Sequence, residues 1–161
     1  MDRFDFLVNT LEKIQIAAGI LALVSIAVIV PLQVFCRYVL NAPLPWPEDV
    51  ATGLLVWLAF LGAAVLYKRK GLVTVEFFLQ YFPQRLSYAI SLTIDIMISL
   101  LSFLIIIYGY RLNTLQMMSY SVGTGIPRGY FYSLPLLVNI IAIFIYALHV
   151  ILKRVFSMAA S

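Results

Sequence analysis

The chain has 161 residues, of which 63% are hydrophobic and 11% are charged, and its formal net charge is +4. Soluble domains are about 45–50% apolar and about 25% charged, and a domain of this size buries only about two thirds of the surface that its unfolded chain exposes. The composition therefore excludes an ordinary soluble fold, and it also excludes disorder.

Long stretches of the sequence carry almost no charged residue. Because a membrane-spanning helix needs about 20 apolar residues, we predict an all-α integral membrane protein with a single domain, residues 1–161. The four predicted transmembrane helices cover about 14–35, 50–67, 86–110 and 130–152. The opening segment lacks the basic start and the cleavage site of a secretory signal, so we expect the first span to be retained. With one cysteine, Cys36, an intrachain disulfide is excluded.

The basic residues indicate the orientation in the membrane. Most of the 11 Lys and Arg residues lie before the first span, between the second and third spans, and after the fourth. Such residues mark the cytoplasmic side of short loops. The sequence therefore predicts both termini in the cytoplasm. The positive net charge follows from this topology, and we expect no nucleic-acid partner.

The segment between the first two spans combines prolines, an aromatic residue and charges. Trp46 is typical of the membrane–water boundary, and Glu48 and Asp49 complement the positive end of the helix dipole that follows. One interpretation is that these carboxylates only start a helix. The other is that one of them forms a salt bridge with Arg37 and joins the outer ends of the first two helices.

The second span contains a tryptophan near its middle, Trp57. An indole N–H is hard to satisfy in lipid, so we expect Trp57 to pack against another helix, with a lipid-facing position as the alternative. Small side chains let helices approach closely in a membrane. The sequence predicts two such seams: Ala18, Ala22 and Ser25 in the first span, and Ala59, Gly62 and Ala63 in the second.

A basic, aromatic segment follows the second span. Residues 72–82 are too few and too polar to cross, and their pattern predicts an amphipathic helix along the cytoplasmic interface. Basic side chains next to a span reach toward lipid headgroups. The predicted interfacial anchors are Trp46, Lys68, Arg69, Lys70, Phe77, Phe78 and Tyr81.

The third span carries a carboxyl group, Asp95, on the same helical face as Ser91, Ser99 and Ser102. A charge inside the bilayer is costly and usually faces protein or water. The functional interpretation is a cation or proton site. The structural one is a buried carboxyl bonded to serines or to a partner subunit, which we favour because no other acid lies within a span. We expect these four residues and Trp57 to face a partner.

The sequence lacks the residue sets of most chemistry. It shows no nucleophile–base–acid set and no metal-ligand spacing, and its one histidine, His149, is more typical of a satisfied interface residue than of a ligand. We expect no enzyme activity and no cofactor. The residues leave open an autonomous small proton-coupled exporter using Asp95 and a membrane anchor for a peripheral enzyme.

Three motifs carry a resemblance to a known family. They are RYVLN at 37–41 running into LPWPED at 44–49, LGAA at 61–64 followed by KGLVTVE at 70–76, and GIP at 125–127 with YSLP at 132–135. Over about residues 10–152 the chain resembles the small membrane subunit of TRAP (tripartite ATP-independent periplasmic) transporters. It departs from the family at Leu72, where a histidine is common, and at Asp49, where a glutamate is usual.

The resemblance implies an accessory role in the bacterial inner membrane. In such systems a periplasmic substrate-binding protein captures an organic acid, typically sialic acid or a C4-dicarboxylate. A large permease subunit then imports it with a sodium gradient. The resemblance implies that this chain forms a stable heterodimer with the large subunit and braces it, that its contact with the binding protein is transient, and that membrane lipid surrounds it.

Overall fold

The computed structural model describes residues 2–69 and 83–159. In that part of the chain the long regular elements are all helices, which confirms the all-α prediction. The helices are α1 (Asp2–Tyr38), α2 (Trp46–Lys68), α3 (Gln84–Met117) and α4 (Ser133–Ala159), and a short 3₁₀ helix covers Arg128–Tyr130. The predicted interfacial helix over 72–82 lies outside the described residues, and so do the predicted anchors Lys70, Phe77, Phe78 and Tyr81.

All four helices are long and apolar enough to cross a membrane. At 1.5 Å per residue, the 37 residues of α1 extend over about 55 Å and the 34 residues of α3 over about 51 Å. The hydrocarbon core of a bilayer is only about 30 Å thick. Both helices therefore continue beyond their predicted spans, α1 toward the N-terminus and α3 toward Met117.

The helices pack in the order α1, α2, α4, α3. The main contacts are those between α1 and α2, between α2 and α4, and between α4 and α3, and α1 touches α4 over a short stretch. The helices alternate in direction. We call the end where α1 begins and where α2 and α4 end the terminal end, and the opposite end, with residues 39–45 and 118–132, the loop end.

The stripe of α1 that packs on α2 has a regular period. Its covered positions follow at spacings of three and four: 15, 19, 22, 26, 29, 33 and 36. This is the period with which two helices pack at a small crossing angle. Gly19 lies at this contact, because a Cβ added there would be 3.7 Å from a methyl group of Leu58.

The two predicted small-residue seams have different outcomes. In α1, Ala22 is buried and Ser25 is half-buried, but Ala18 is exposed, since the contact stripe passes through Gly19 instead. In α2, Ala59, Gly62 and Ala63 are all exposed, and a Cβ added at Gly62 would meet nothing within 4 Å. The seam on α2 is therefore open at the surface, with Gly62 at the edge of a groove between α1 and α2.

Candidate functional site

The connection between α3 and α4 is fastened to the first turn of α2 by Asp49. Its Oδ2 atom accepts a short hydrogen bond from the Ser121 hydroxyl and a second, at 2.9 Å, from the backbone N–H of Gly123. A Cβ at Gly123 would be 2.3 Å from the carbonyl oxygen of Pro45. The loop lies directly on the start of α2, and only glycine at position 123 permits so close an approach.

The loop that Asp49 binds is a closed turn. The Ser121 N–H donates to the carbonyl of Ile126 at 2.9 Å, and the Gly125 N–H donates to the carbonyl of Ser121 at 2.9 Å. Gly125 has φ of 68°, a left-handed conformation that glycine adopts without strain. The Arg128 N–H donates to the backbone carbonyl of Ser119 at 2.7 Å. These bonds close the turn within the loop itself, in addition to the contacts with Asp49.

One face of α2 contacts the connection between α3 and α4 over three turns. Asp49, Gly53 and Trp57 are spaced by four residues and therefore share a face. Gly53 packs against the ring of Phe131, because an added Cβ would lie 2.2 Å from its Cδ1. The Trp57 Nε1–H donates to the carbonyl of Tyr130 at 3.1 Å. Trp57 thus packs on the α3–α4 connection of its own chain, which satisfies the N–H that lipid would leave unpaired.

The salt bridge expected between Arg37 and Glu48 or Asp49 does not form among the described residues. Among the described residues, no ion pair joins Arg37 to Glu48 or Asp49. Asp49 is bonded to the loop, and Glu48, the next position on the helix, points about 100° away from it. Arg37 and Glu48 instead line one groove at the loop end.

The terminal end is joined by a carboxylate from α1. Glu12 Oε2 lies 2.5 Å from Lys68 Nζ, and Glu12 Oε1 lies 2.6 Å from Arg69 Nε. The same ammonium group donates to the Val8 carbonyl at 3.1 Å and to Asn9 Oδ1 at 2.7 Å. The Lys68 side chain is only 14% exposed. Lys68, expected to reach lipid headgroups, is therefore mainly a link between α1 and α2.

A buried polar network joins α1 to α4. The Gln15 Nε2–H donates to Asn139 Oδ1 at 3.2 Å, and the Tyr146 hydroxyl donates to Gln15 Oε1 at 2.6 Å. The Asn139 amide also donates to the Pro135 carbonyl at 2.8 Å. All three polar side chains are buried, and buried polar groups are costly unless they are paired. The network therefore fixes the position of α1 on α4.

The histidine at the end of α4 also contacts α1. His149 Nε2 lies 2.6 Å from Asp5 Oδ1, so the first turns of α1 contact the C-terminal half of α4. This agrees with the interpretation of His149 as a satisfied interface residue.

The polar face of α3 turns toward the chain's own helices. Asp95 is 8% exposed and Ser102 is 2% exposed, and Asp95 Oδ1 accepts a hydrogen bond from the Tyr67 hydroxyl at 3.1 Å. Ser91 and Ser99 are half-buried. The expectation that Asp95 and Ser102 face a partner subunit therefore differs from the structure, because α2 and α4 already cover them.

Several of these contacts are not predicted by the sequence pattern. The hydropathy pattern does not single out Glu12 and Gln15, because they precede or begin the first apolar run. The alternating direction of four helices was itself a signal, since it places Glu12 beside the basic end of α2. The bond from the Ser133 hydroxyl to Asn113 Oδ1, at 2.7 Å, had no comparable signal. Trp46, a predicted anchor, is partly exposed at the first residue of α2.

The polar side chains do not assemble into a metal centre. Over residues 2–69 and 83–159, no three His, Cys, Asp or Glu side chains are placed to hold a metal ion. Asp5, Glu12, Asp49 and Asp95 each contact a base, a hydroxyl or a backbone N–H group of this chain. The polar side chains at both ends thus serve to join helices to one another.

A family model and three relatives match this chain. The model for the DctQ component of tripartite ATP-independent periplasmic transporters matches residues 26–157. The sialic acid TRAP transporter small permease protein SiaQ of Vibrio cholerae is 31% identical over 107 residues, which cover 65% of this chain and 59% of the relative. This match therefore spans less than two thirds of that relative's length.

Two relatives come from Haemophilus influenzae. One carries the name of a TRAP transporter small permease protein and is 30% identical over 127 residues, 79% of this chain and 76% of the relative. The other, the sialic acid TRAP transporter permease protein SiaT, is 25% identical over 101 residues, which are 63% of this chain but only 16% of the relative. The chain belongs to the DctQ family of TRAP transporter components, and it is a small multi-pass permease component of the bacterial inner membrane, not an enzyme.

Proposed function

We propose that this chain braces the large permease subunit of a sodium-coupled TRAP transporter that imports an organic acid. The observation that carries this proposal is the use of its polar side chains. Asp49, Glu12, Gln15 and Asp95 each bond to another part of the same chain. Such contacts stiffen a scaffold and leave the transport site to another subunit.

An exposed surface of small residues on α2 is suited to packing against a helix of another membrane protein. Lipid tails supply no hydrophobic driving force between helices, so association in a membrane depends on close packing of small residues. Ala59, Gly62 and Ala63 form such a surface on α2 and are all exposed in this chain. We propose that this seam packs on the large subunit.

The similarity to SiaT favours a stable pairing with a large subunit. A segment like this chain makes up 16% of that longer permease protein. One polypeptide that includes both parts would keep them together permanently. We propose that the separate chain reaches the same arrangement as a heterodimer, and that a periplasmic substrate-binding protein docks on it transiently.

The substrate class rests on the names of the relatives. Two of them are named for sialic acid transport, so we propose a carboxylate substrate of the sialic acid or C4-dicarboxylate type. We propose that coupling to sodium resides in the large subunit. Family membership favours this function over an autonomous exporter using Asp95 and over an anchor for a peripheral enzyme.

The proposed orientation places the terminal end in the cytoplasm. Lys13, Lys68, Arg69 and Lys153 lie at this end, in accord with the positive-inside rule. In a Cys36→Ser background, Val122→Cys should react with an impermeant maleimide applied to intact spheroplasts. Lys153→Cys should react only after permeabilisation. The reverse pattern would contradict this orientation.

Co-purification with the large subunit tests the bracing role. We expect the wild-type chain to be extracted in detergent bound to the large subunit, and we expect Gly62→Leu to reduce this recovery by filling the seam. Ala27→Leu is the matched control, since Ala27 is an exposed small residue on α1 outside the seam. Isolation of the wild-type chain as a stable homodimer, with no large subunit bound, would contradict the proposal.

A further inference from the structure

A groove at the loop end contains two charged side chains, Arg37 and Glu48, that form no ion pair among the described residues. It lies between the last turns of α1 and the start of α2 and has a volume of about 390 Å³. Small-molecule sites usually have about 300–1,000 Å³. Its lining residues are Gln33, Arg37, Pro43, Leu44, Pro45 and Glu48.

The groove offers one cation and one anion that do not neutralise each other. In the described ranges, the ion pairs within 4.0 Å involve Lys68, Arg69 and His149, and none includes Arg37 or Glu48. The guanidinium of Arg37 lies 5.9 Å from the ring of the adjacent Tyr38. A ligand with both a negative and a positive group would satisfy both side chains at once.

The chemistry of Arg37 and Glu48 indicates which charged groups the ligand carries. A guanidinium binds phosphate through two parallel N–H donors. A carboxylate accepts hydrogen bonds from an ammonium group. A phosphate on Arg37 and a primary ammonium on Glu48 together describe a phosphoethanolamine group.

The position of the groove in the bilayer indicates where that group comes from. Val30, Gln33 and Arg37 follow at spacings of three and four, so one face of α1 changes from apolar to charged within two turns. Val30 is 41% exposed and Val34 is 50% exposed, and Trp46, typical of the interface, begins α2 nearby. The groove therefore opens where phospholipid headgroups meet acyl chains.

We propose that this groove binds the headgroup of a zwitterionic phospholipid of the phosphatidylethanolamine type. Arg37 binds the phosphate, Glu48 binds the ammonium group, and Gln33, one turn deeper, donates from its amide to an ester carbonyl. The acyl chains lie along Val30 and Val34. This site is additional to the transport role and does not depend on it.

Lipid titration of the delipidated full-length chain tests the site. Native mass spectrometry in detergent should show one molecule of phosphatidylethanolamine bound about tenfold more tightly than phosphatidylglycerol, because only the former carries the ammonium group. Arg37→Gln should weaken binding of both lipids by about tenfold. Glu48→Gln should remove the preference between them.

Control variants separate the site from general effects on the fold. Arg111→Gln removes an exposed arginine of α3 that does not line the groove and should leave binding unchanged. If Arg37→Gln does not fold, Arg37→Lys keeps the charge without the planar fork and should lose a smaller factor. A melting curve for each variant shows whether it is folded.

Three results would overturn the proposal. One is equal affinity for the two lipids in the wild-type chain, and another is an unchanged preference in Glu48→Gln. The third is binding of soluble glycerophosphoethanolamine as tightly as the intact lipid, which would exclude the acyl contacts and so the lipid as the ligand.

Discussion

The backbone N–H of Gly123 donates a hydrogen bond of 2.9 Å to the carboxylate of Asp49, 74 residues earlier in the chain. This bond connects the turn between α3 and α4 to the first turn of α2. The positive end of the α2 dipole also favours a carboxylate at this place. The contact therefore holds the connection between α3 and α4 against the loop end of α2.

Removing this carboxylate should destabilise the fold. Asp49→Ala deletes the acceptor of two hydrogen bonds, and we expect a loss of about 1.5–3 kcal/mol in the free energy of unfolding, as for hydrogen bonds to charged groups. The measurement is denaturant unfolding in detergent micelles. Thr52→Ala, one turn away and bonded only within its own helix, is the control. Equal stability of the two variants would contradict a role for Asp49 in fastening the loop.

Adding one methyl group to α2 should have opposite consequences at two glycines. Gly53→Ala places a Cβ against the ring of Phe131, and overpacking of this kind costs about 1–3 kcal/mol. Gly62→Ala meets open space and should be neutral or slightly stabilising, because alanine favours the helix. Unfolding curves compare the two variants.

A second substitution checks the origin of the Gly53 effect. Phe131→Leu in the Gly53→Ala background makes room for the added methyl group, so the double variant should recover part of the lost stability. Purely additive effects of the two changes would show that the ring of Phe131 is not the obstacle.

The buried network between α1 and α4 should be sensitive to the loss of one hydroxyl. Tyr146→Phe leaves Gln15 Oε1 without its donor in a buried place, and an unsatisfied buried acceptor costs about 1–3 kcal/mol. Tyr108→Phe removes a hydroxyl from an exposed tyrosine on α3 and should change stability much less. A similar melting temperature for both variants would contradict the structural role of the network.

A substitution at Asp95 distinguishes the proposed function from the exporter hypothesis. Asp95→Asn keeps a carbonyl oxygen that accepts the hydrogen bond from Tyr67, so the complete transporter should import its substrate at an unchanged rate. An exporter that couples to protons through this carboxyl would lose activity. Uptake of labelled substrate by proteoliposomes that contain both permease subunits, with the binding protein added, measures the difference.

The architecture was predictable because hydropathy and charge act locally along the chain. Four apolar runs separated by basic or proline-rich segments allow little else in a bilayer, and the four helices appear where those runs lie. The helix ends were less predictable. The polar first turns of α1 are helical because Asp5, Asn9 and Glu12 contact other helices, and a hydropathy pattern does not report such contacts.

The candidate site was only partly predictable, because its contacts join distant parts of the chain. The sequence indicated Asp49 and Trp57, but it predicted that either Glu48 or Asp49 pairs with Arg37, the nearest cation across the first loop. The actual partners, Ser121 and Gly123, lie beyond a third helix. The contact of Gly53 with Phe131 depends on the path of that distant connection, which the local pattern of α2 does not specify.

The most direct test of the central claim is substrate uptake by reconstituted proteoliposomes with and without this chain. The account predicts no uptake by liposomes that contain this chain alone. It predicts uptake when the large permease subunit, the binding protein and a sodium gradient are supplied, and less uptake when this chain is then left out. Accumulation of substrate by liposomes that contain only this chain would contradict the account.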